Sequence, residues 1–467
     1  MVTKTFPFKS DMLGGVLLRR MEWVAPEELF ASLADEPGFV WLDSGMPMGG
    51  LGRWSFMMWA PREAISGRMG AFWRSSPTGA KSIIDPFSEL RKIMAQSSIP
   101  PLQGAPPFTG GAAGFFGYDL GGLLEPSLRP PRAASAPEGD IWIGVYGAVA
   151  AFDHLTGEVT LAAHPGGSES QDEALDRMED AIRRGTARQP VCSAVRHGPL
   201  RSNFTRGQFM DAVQRVRRYI EQGDCYQANI AQRFQAEGDF GPGLYTRLRA
   251  INPAPFAAYI NTGQSRIISA SPERFISLRG GRATTMPIKG TRPRGRAPQE
   301  DNLLKLELQD SEKDRAENVM IVDLLRNDFS KVCRPHSVAA PVICAAQAHP
   351  TVFHLVSTVT GTLLPGLGAL DLLEGAFPGG SVTGAPKIRA MEIIAEMEPA
   401  PRGAYCGAIG YLGFDGSMDT SVTIRTMIAA DDGVSFHAGG GITYSSDPAE
   451  EYQETMDKAR ALIEAVS

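Results

Sequence analysis

The 467-residue chain is short of the features that mark several protein classes. Its five cysteines, Cys192, Cys225, Cys333, Cys344 and Cys406, are widely scattered and form no C-x-x-C pair. An odd, dispersed set argues against a disulfide framework and against a cysteine zinc site. No apolar run approaches the roughly 18 residues of a membrane span, and MVTKTFPFKSDMLGG at the N-terminus lacks the apolar core of a signal peptide. The best run, Ile141 to Phe152, reads as one buried strand. Charge of one sign is missing too: 46 Lys+Arg against 52 Asp+Glu leave a net −6. That balance offers no electrostatic footprint for nucleic acid. It leaves room for a small anionic substrate, because a local pocket can oppose the global sign. The expectation is a soluble, cytoplasmic protein with neither nucleic acid nor membrane as partner. No Gly-x-Ser-x-Gly or Gly-x-Cys-x-Gly elbow is present; GDCYQ at 223–227 lacks the second Gly, so no hydrolase triad is readable.

What is present is an ordinary globular composition, 43 % hydrophobic and 21 % charged, which excludes wholesale disorder. The 51 Gly and 34 Pro stand above the usual share, and they cluster in GGAAGFFGYDLGG (110–122), PGGSVTGAP (378–386) and AGGGI (438–442). Such clusters serve as turns, or as backbone that comes close to a ligand. Residues 166–203 form the clearest boundary, polar and Pro/Gly-punctuated, with one charged amphipathic helix near 171–184. Before it, GFVWLDSG, DIWIGVYGAVAAF and GEVTLAAH read as antiparallel strands and hairpins. After it, Thr205 is a plausible N-cap for a helix carrying Phe209, Val213, Val216 and Ile220 at helical spacing. Strands and helices then mix without regular βαβ alternation, which favours α+β.

Several residues could carry chemistry, each with a plainer alternative. Lys289 ends an apolar strand-like approach in TTMPIKGTRPRG. Burial would lower its pKa and make it a nucleophile or base; otherwise it ion-pairs at a strand end. SEKDRAENVMIVDLLRND reads as a helix with Asp314 and Glu317 at i,i+3, and DPAEEYQETMDKARALIEAV as another with Glu451 and Glu454 at i,i+3. Converging carboxylates would suit Mg²⁺; the alternative is two solvated helix faces. Glu273 in SASPERFISL is a general acid if its turn is apolar, and an exposed turn residue if not. Arg425 is out of pattern in the alternating SVTIRTM, where an inward Arg could grip a carboxylate, and an AGGG turn at 438–441 could add backbone N–H groups. FPGGSVTGAPK resembles a strand-to-helix turn with Ser381 available, and it does not match a Walker A loop. His354 in VFHLVSTV fits a satisfied core histidine.

Taken together, GDCYQANIAQRF, SPERF, PIKGTRPRG, AENVMIVDLLRNDFSKVC, FHLVSTVTGTL, FPGGSVTGAPKIRAMEII, YCGAIGYLGFDGSMDTSVTIRTM and AGGGITYSSDPAEEYQETMDKAR resemble the chorismate-utilising enzymes, and within them the aminodeoxychorismate-forming members. They run almost continuously through 203–467; FVWLDSG, GRWSFM and GGAAGFFGYDL match more weakly. The implied fold is α+β, a four-layer sandwich of two orthogonally packed antiparallel sheets with outer helices. Residues 1–185 would contribute to that sandwich and 203–467 would form the catalytic region. The resemblance implies Mg²⁺ bound by Glu317 and Glu454, with Asp314 and Glu451 acting through waters or as further ligands. It implies Arg425 and Tyr405 on the enolpyruvyl carboxylate, close backbone at Gly439, Gly440 and Gly441, and added positive charge from Lys458. Gly290, Thr291 and Ser381 would line the pocket, with His354 as the active-site histidine and Glu273 as general acid.

Two positions bear on the reaction that the resemblance implies. Water-adding members carry a Lys base where this chain has Gln227, which argues for ammonia as nucleophile. Anthranilate synthases carry PIAGT where this chain has PIKGT, with Lys289. Lys289 would add at ring carbon 2 as the carbon 4 hydroxyl leaves, protonated by Glu273, and ammonia would then add at carbon 4 and expel the lysine. The lack of a glutaminase elbow implies a separate glutamine amidotransferase subunit. Related chains also hold tryptophan near a segment like Leu42, Asp43 and Ser44.

Overall fold

The structure, a computed structural model, describes residues 10–45, 51–128, 136–185, 197–348 and 352–467. Cys192, part of the 166–203 boundary stretch and the first nine residues of the N-terminal segment lie outside the described residues. Among the described residues two antiparallel sheets dominate, one of 13 strands and one of 12. Both interleave strands from the two ends of the chain. In the first, Val40–Asp43 pairs with Phe256–Asn261, Ala257 opposite Asp43. In the second, Gly111–Phe116 pairs with Ala408–Gly413, Phe116 opposite Ala408.

The layering follows from the two-residue period of the strands. Along Trp54–Met58, Phe56 and Met58 join a cluster between the sheets, whereas Met57 packs with the outer helices. Along Ala408–Gly413, Ile409 and Tyr411 turn to the other sheet, and Ala408 and Leu412 turn outward. Each sheet therefore buries both faces, and the order is helices, sheet, sheet, helices. A fully buried Leu, Ile or Phe stabilises such a core by roughly 1.5–3 kcal/mol.

That double burial explains why Ile141 to Phe152 is not one strand. Ile141–Tyr146 pairs with Glu63–Arg68 in one sheet, and Ala148–Asp153 pairs with Trp54–Met58 in the other. The chain crosses between sheets at Gly147, where a Cβ would run into the guanidinium of Arg62. Both strands are apolar on both faces, so the sequence pattern carries no sign of the break.

The helices follow their apolar spacing. Gln171–Gly185 buries Leu175, Met178 and Ile182. Arg206–Glu221 starts at Thr205, whose hydroxyl caps Gln208 N while the Gln208 side chain returns to Thr205 N. Such a cap stabilises a helix by about 1 kcal/mol. Phe209, Val213 and Val216 are buried on that helix, with Ile220 partly buried beside them. The two acidic helices lie on different sheets: Glu312–Ser330 packs on Val352–Thr362, and Pro448–Val466 packs on Gly433–Ile442.

Candidate active site

Lys289 lies near the start of a strand, Ile288–Pro293, and not at the end of one. The strand is irregular: Lys289 pairs with Leu355 and Thr291 with His354, so Gly290 is an extra residue. Bulges of this kind redirect side chains. Gly290 has φ +77°, and a Cβ there would press on Asp314 and Leu308 at 2.9 Å. Only glycine meets both demands cheaply. Lys289 Nζ donates to the Ser381 carbonyl at 3.1 Å. Burial lowers its pKa, opposed by the charges of Glu317 and Glu273. Glu273 is 6 % exposed, so it is not an ordinary surface-turn glutamate. Burial raises its pKa, against a hydrogen bond from Ser381 and the charge of Lys289. A half-buried amine whose pKa is pushed down thus sits beside a buried carboxyl whose pKa is pushed up. Thr291 and His354 continue the same wall, Oγ1 to Nδ1 at 2.9 Å.

Glu451 and Glu454 meet at Gly440, and Glu317 on the other acidic helix is near enough to Glu454 for their charges to interact. The missing side chain of Gly440 makes room: a Cβ there would meet Glu451 Oε2 at 3.2 Å, Lys458 Nζ at 3.5 Å and Glu454 Oε1 at 3.7 Å. Burial raises the Glu317 and Glu451 pKa values, and the charge of Glu454 pushes both in the same direction. Glu454 is held down instead, because Lys458 pairs with it at 2.6 Å. Asp314 is turned to Arg292 at 3.3 Å. Among the described residues no three carboxylates stand at metal-coordinating distance. The donor set nevertheless fits a hard cation. Glu451 is 4 % exposed, and its Oε2 is buried with no hydrogen-bond partner. All-oxygen ligation is what Mg²⁺ takes.

Gly439, Gly440 and Gly441 lie inside the strand Gly433–Ile442, not in the turn expected at 438–441. Nearly the whole strand pairs with Gln227–Ala236, but it pairs with Thr426–Ala430 only as far as Phe436. Its other edge then opens toward Lys458, whose Nζ donates to Gly439 O at 3.1 Å. The glycines are needed for close approach. A Cβ at Gly439 would strike Ile230 O, and one at Gly441 would strike Gln227 Nε2. Gln227 is 0 % exposed, and neither its Oε1 nor its Nε2 has a hydrogen-bond partner. A buried amide without a partner is costly, so Gln227 is set apart from the satisfied polar groups around it.

Arg425 is likewise not within a strand. It sits at a bend between Met418–Val422 and Thr426–Ala430 with φ +52°. An αL arginine departs from the alternation of both strands, which is why SVTIRTM reads misleadingly as one. Its Nη1 donates to Lys458 O. Burial lowers its pKa, and Tyr405 opposes that effect. A guanidinium so placed has the chemistry to pair with an anion. Tyr405 stacks on His437 with ring centroids 5.0 Å apart.

Two neighbours had little sequence signal. Asn229 Nδ2 donates to Ser381 O at 3.1 Å. Arg402 Nη1 and Nη2 donate to Val382 O at 3.0 Å and to Asn229 O at 3.1 Å, while Nη2 pairs with Glu398 at 2.7 Å. A charged Arg in the Pro/Gly-flanked PRGAY was the one available clue. Apart from this site, Leu42, Asp43 and Ser44 help line a cavity of about 620 Å³ together with Trp54, Phe256, Arg274 and Tyr411.

The model of the chorismate binding enzyme family matches residues 54–464, and the chain belongs to that family. It is a chorismate-utilising enzyme. It is 41 % identical over 446 residues to aminodeoxychorismate synthase component 1 of Klebsiella aerogenes, covering 94 % of this chain and 96 % of that one. It is 39 % identical to anthranilate synthase component 1 of Streptomyces coelicolor, covering 95 % and 86 %. In three dimensions it matches anthranilate synthase component I of Streptococcus pneumoniae with a TM-score of 0.77 at 33 % identity, covering 87 % of this chain and 91 % of the other. No helix among the described residues is long and apolar enough to cross a membrane.

Proposed function

We propose that the chain converts chorismate and ammonia to 4-amino-4-deoxychorismate, on the route to p-aminobenzoate and folate, with ammonia released from glutamine by a separate amidotransferase subunit. The observation that carries this reading is Lys289, a half-buried amine held on the Ser381 carbonyl at 3.1 Å with its pKa pushed down by desolvation, next to the buried carboxyl of Glu273. The similarity to a protein named component 1 supports the partner subunit.

In this reading Arg425 and Tyr405 hold the enolpyruvyl carboxylate, and the open strand edge at Gly439–Gly441 lets substrate approach the backbone. Lys289 adds to ring carbon 2, both ring double bonds shift, and the carbon 4 hydroxyl leaves as water with the proton of Glu273. Ammonia then adds at carbon 4, both double bonds shift back, the lysine leaves as an amine, and Glu273 takes the proton that the new ammonium group gives up. Glu317, Glu451 and Glu454, with Asp314, would hold Mg²⁺. The ion supplies positive charge for the ring carboxylate. Gln227 offers an amide and no base, which favours ammonia over water.

The test is product analysis by mass spectrometry after incubating the chain with chorismate, ammonium and Mg²⁺. A product that keeps its enolpyruvyl group is expected. Anthranilate with pyruvate would replace this reading by the second one, anthranilate synthesis, which the 39 % identity to an anthranilate synthase favours. Binding of chorismate without turnover would make the chain a non-catalytic subunit.

A further inference from the structure

The turn that carries Tyr405 is held from behind by two carboxylates of the N-terminal half. Gly403 N–H donates to Asp119 Oδ2 at 2.8 Å, and Ala404 N–H donates to Glu138 Oε1 at 3.0 Å. The Gly403 carbonyl in turn accepts from Tyr118 N–H at 2.8 Å. Gly403 has φ +56°, and a Cβ there would run into Glu138 Oε1, so the turn and the carboxylate are fitted to each other. On the inner side the Arg402 guanidinium lies 4.6 Å from the Tyr118 ring centroid and ties the turn to Val382 and Asn229. Tyr405 follows directly on these two grips, and its N–H donates to the Arg402 carbonyl at 3.0 Å.

We propose that Asp119 and Glu138 are positioning residues for substrate recognition, which hold the Arg402–Cys406 turn so that Tyr405 meets the enolpyruvyl carboxylate. The proposal rests on the reading of Tyr405 as a carboxylate-binding residue. Its physical basis is the cost of an unsatisfied buried N–H: without the Glu138 carboxylate, Ala404 N–H must turn elsewhere and carry Tyr405 with it.

Steady-state kinetics of the full chain with chorismate, ammonium and Mg²⁺ test the idea. Glu138→Ala is expected to raise KM for chorismate by roughly tenfold while kcat changes by less than about twofold. Glu138→Gln keeps an acceptor oxygen and is expected to stay within about twofold of the parent KM. Glu138→Asp keeps the charge but loses the reach, so it carries the same expectation as Glu138→Ala if the latter does not fold. If Glu138 acts through Tyr405, Tyr405→Phe raises KM and adding Glu138→Ala changes it little further. An unchanged KM in Tyr405→Phe overturns the reading of Tyr405 and the proposal with it. A raised KM in Tyr405→Phe overturns the proposal alone if Glu138→Ala leaves KM unchanged, lowers only kcat, or multiplies the Tyr405→Phe effect in full.

Discussion

The carboxyls behind the Tyr405 turn also make a quantitative prediction about stability. Burial pushes the Glu138 pKa up from 4.5 to about 7, and that of Asp119 up from 3.8 to about 7. The native chain therefore binds more protons at these sites than the unfolded chain does between about pH 4 and 7. The sign is the reverse of a salt-bridged carboxylate: stability falls as pH rises through that window and is level above it. One pKa unit corresponds to about 1.36 kcal/mol, so ionised Glu138 costs the fold roughly 3 kcal/mol at pH 8 and under about 1 kcal/mol at pH 5.

Glu138→Gln removes the ionisation. It also buries an amide NH₂, a cost that does not depend on pH, so the difference between two pH values isolates the charge. With an unfolding entropy of roughly 2.1 cal/mol/K per residue, 1 kcal/mol moves the midpoint of a chain this long by about 1 °C. Differential scanning calorimetry is therefore expected to show Tm of Glu138→Gln gaining roughly 2–3 °C on the parent between pH 5 and pH 8. Asp119→Asn is expected to move the same way. The double variant should gain less than the two together, because the Glu138 charge raises the Asp119 pKa. An equal offset from the parent at both pH values would refute the argument, since it would mean the native carboxyl titrates as in the unfolded chain.

Two further outcomes follow from the site. Lys289→Ala, assayed with chorismate and ammonium, is expected to lose about a hundredfold or more in aminodeoxychorismate formation and to leak toward anthranilate; unchanged product and rate would remove Lys289 from the chemistry. Glu454→Gln is expected to raise the Mg²⁺ concentration for half-maximal activity by about tenfold or more, and an identical Mg²⁺ titration would exclude it as a ligand.

Much of the fold was legible because its helices obey one rule. Phe209, Val213 and Val216 recur at helical spacing on a helix with one wet face, and the structure buries those three. The strands were harder, because both faces of both sheets are covered. Ile141–Tyr146 and Ala148–Asp153 look like one apolar run, and a change of sheet leaves no polar residue to mark it. The α+β, two-sheet architecture was still accessible, through motifs spread along the chain and not through periodicity.

The site shows the same division, and glycine is where it is sharpest. A glycine cluster can mean backbone at positive φ or backbone in close approach, and the letters do not distinguish them. Gly290 and Gly403 have positive φ, close to Lys289 and Tyr405 respectively, whereas Gly439, Gly440 and Gly441 are ordinary extended strand, with no room for a Cβ at Gly439 and Gly441 and little at Gly440. The expected turn at 438–441 took the first meaning where the second holds. The second use matters more for chemistry, since a strand without side chains lets Glu451, Lys458 and the unpartnered Gln227 reach the backbone from two sides. The net charge of −6 is silent on this arrangement. What governs it is local: Glu451 and Glu454 close to Gly440, and the half-buried Arg425 beside Tyr405 a short distance along the chain. In the proposed reading a dianionic substrate would use both, a cation held by the first and the Arg425 guanidinium at the second.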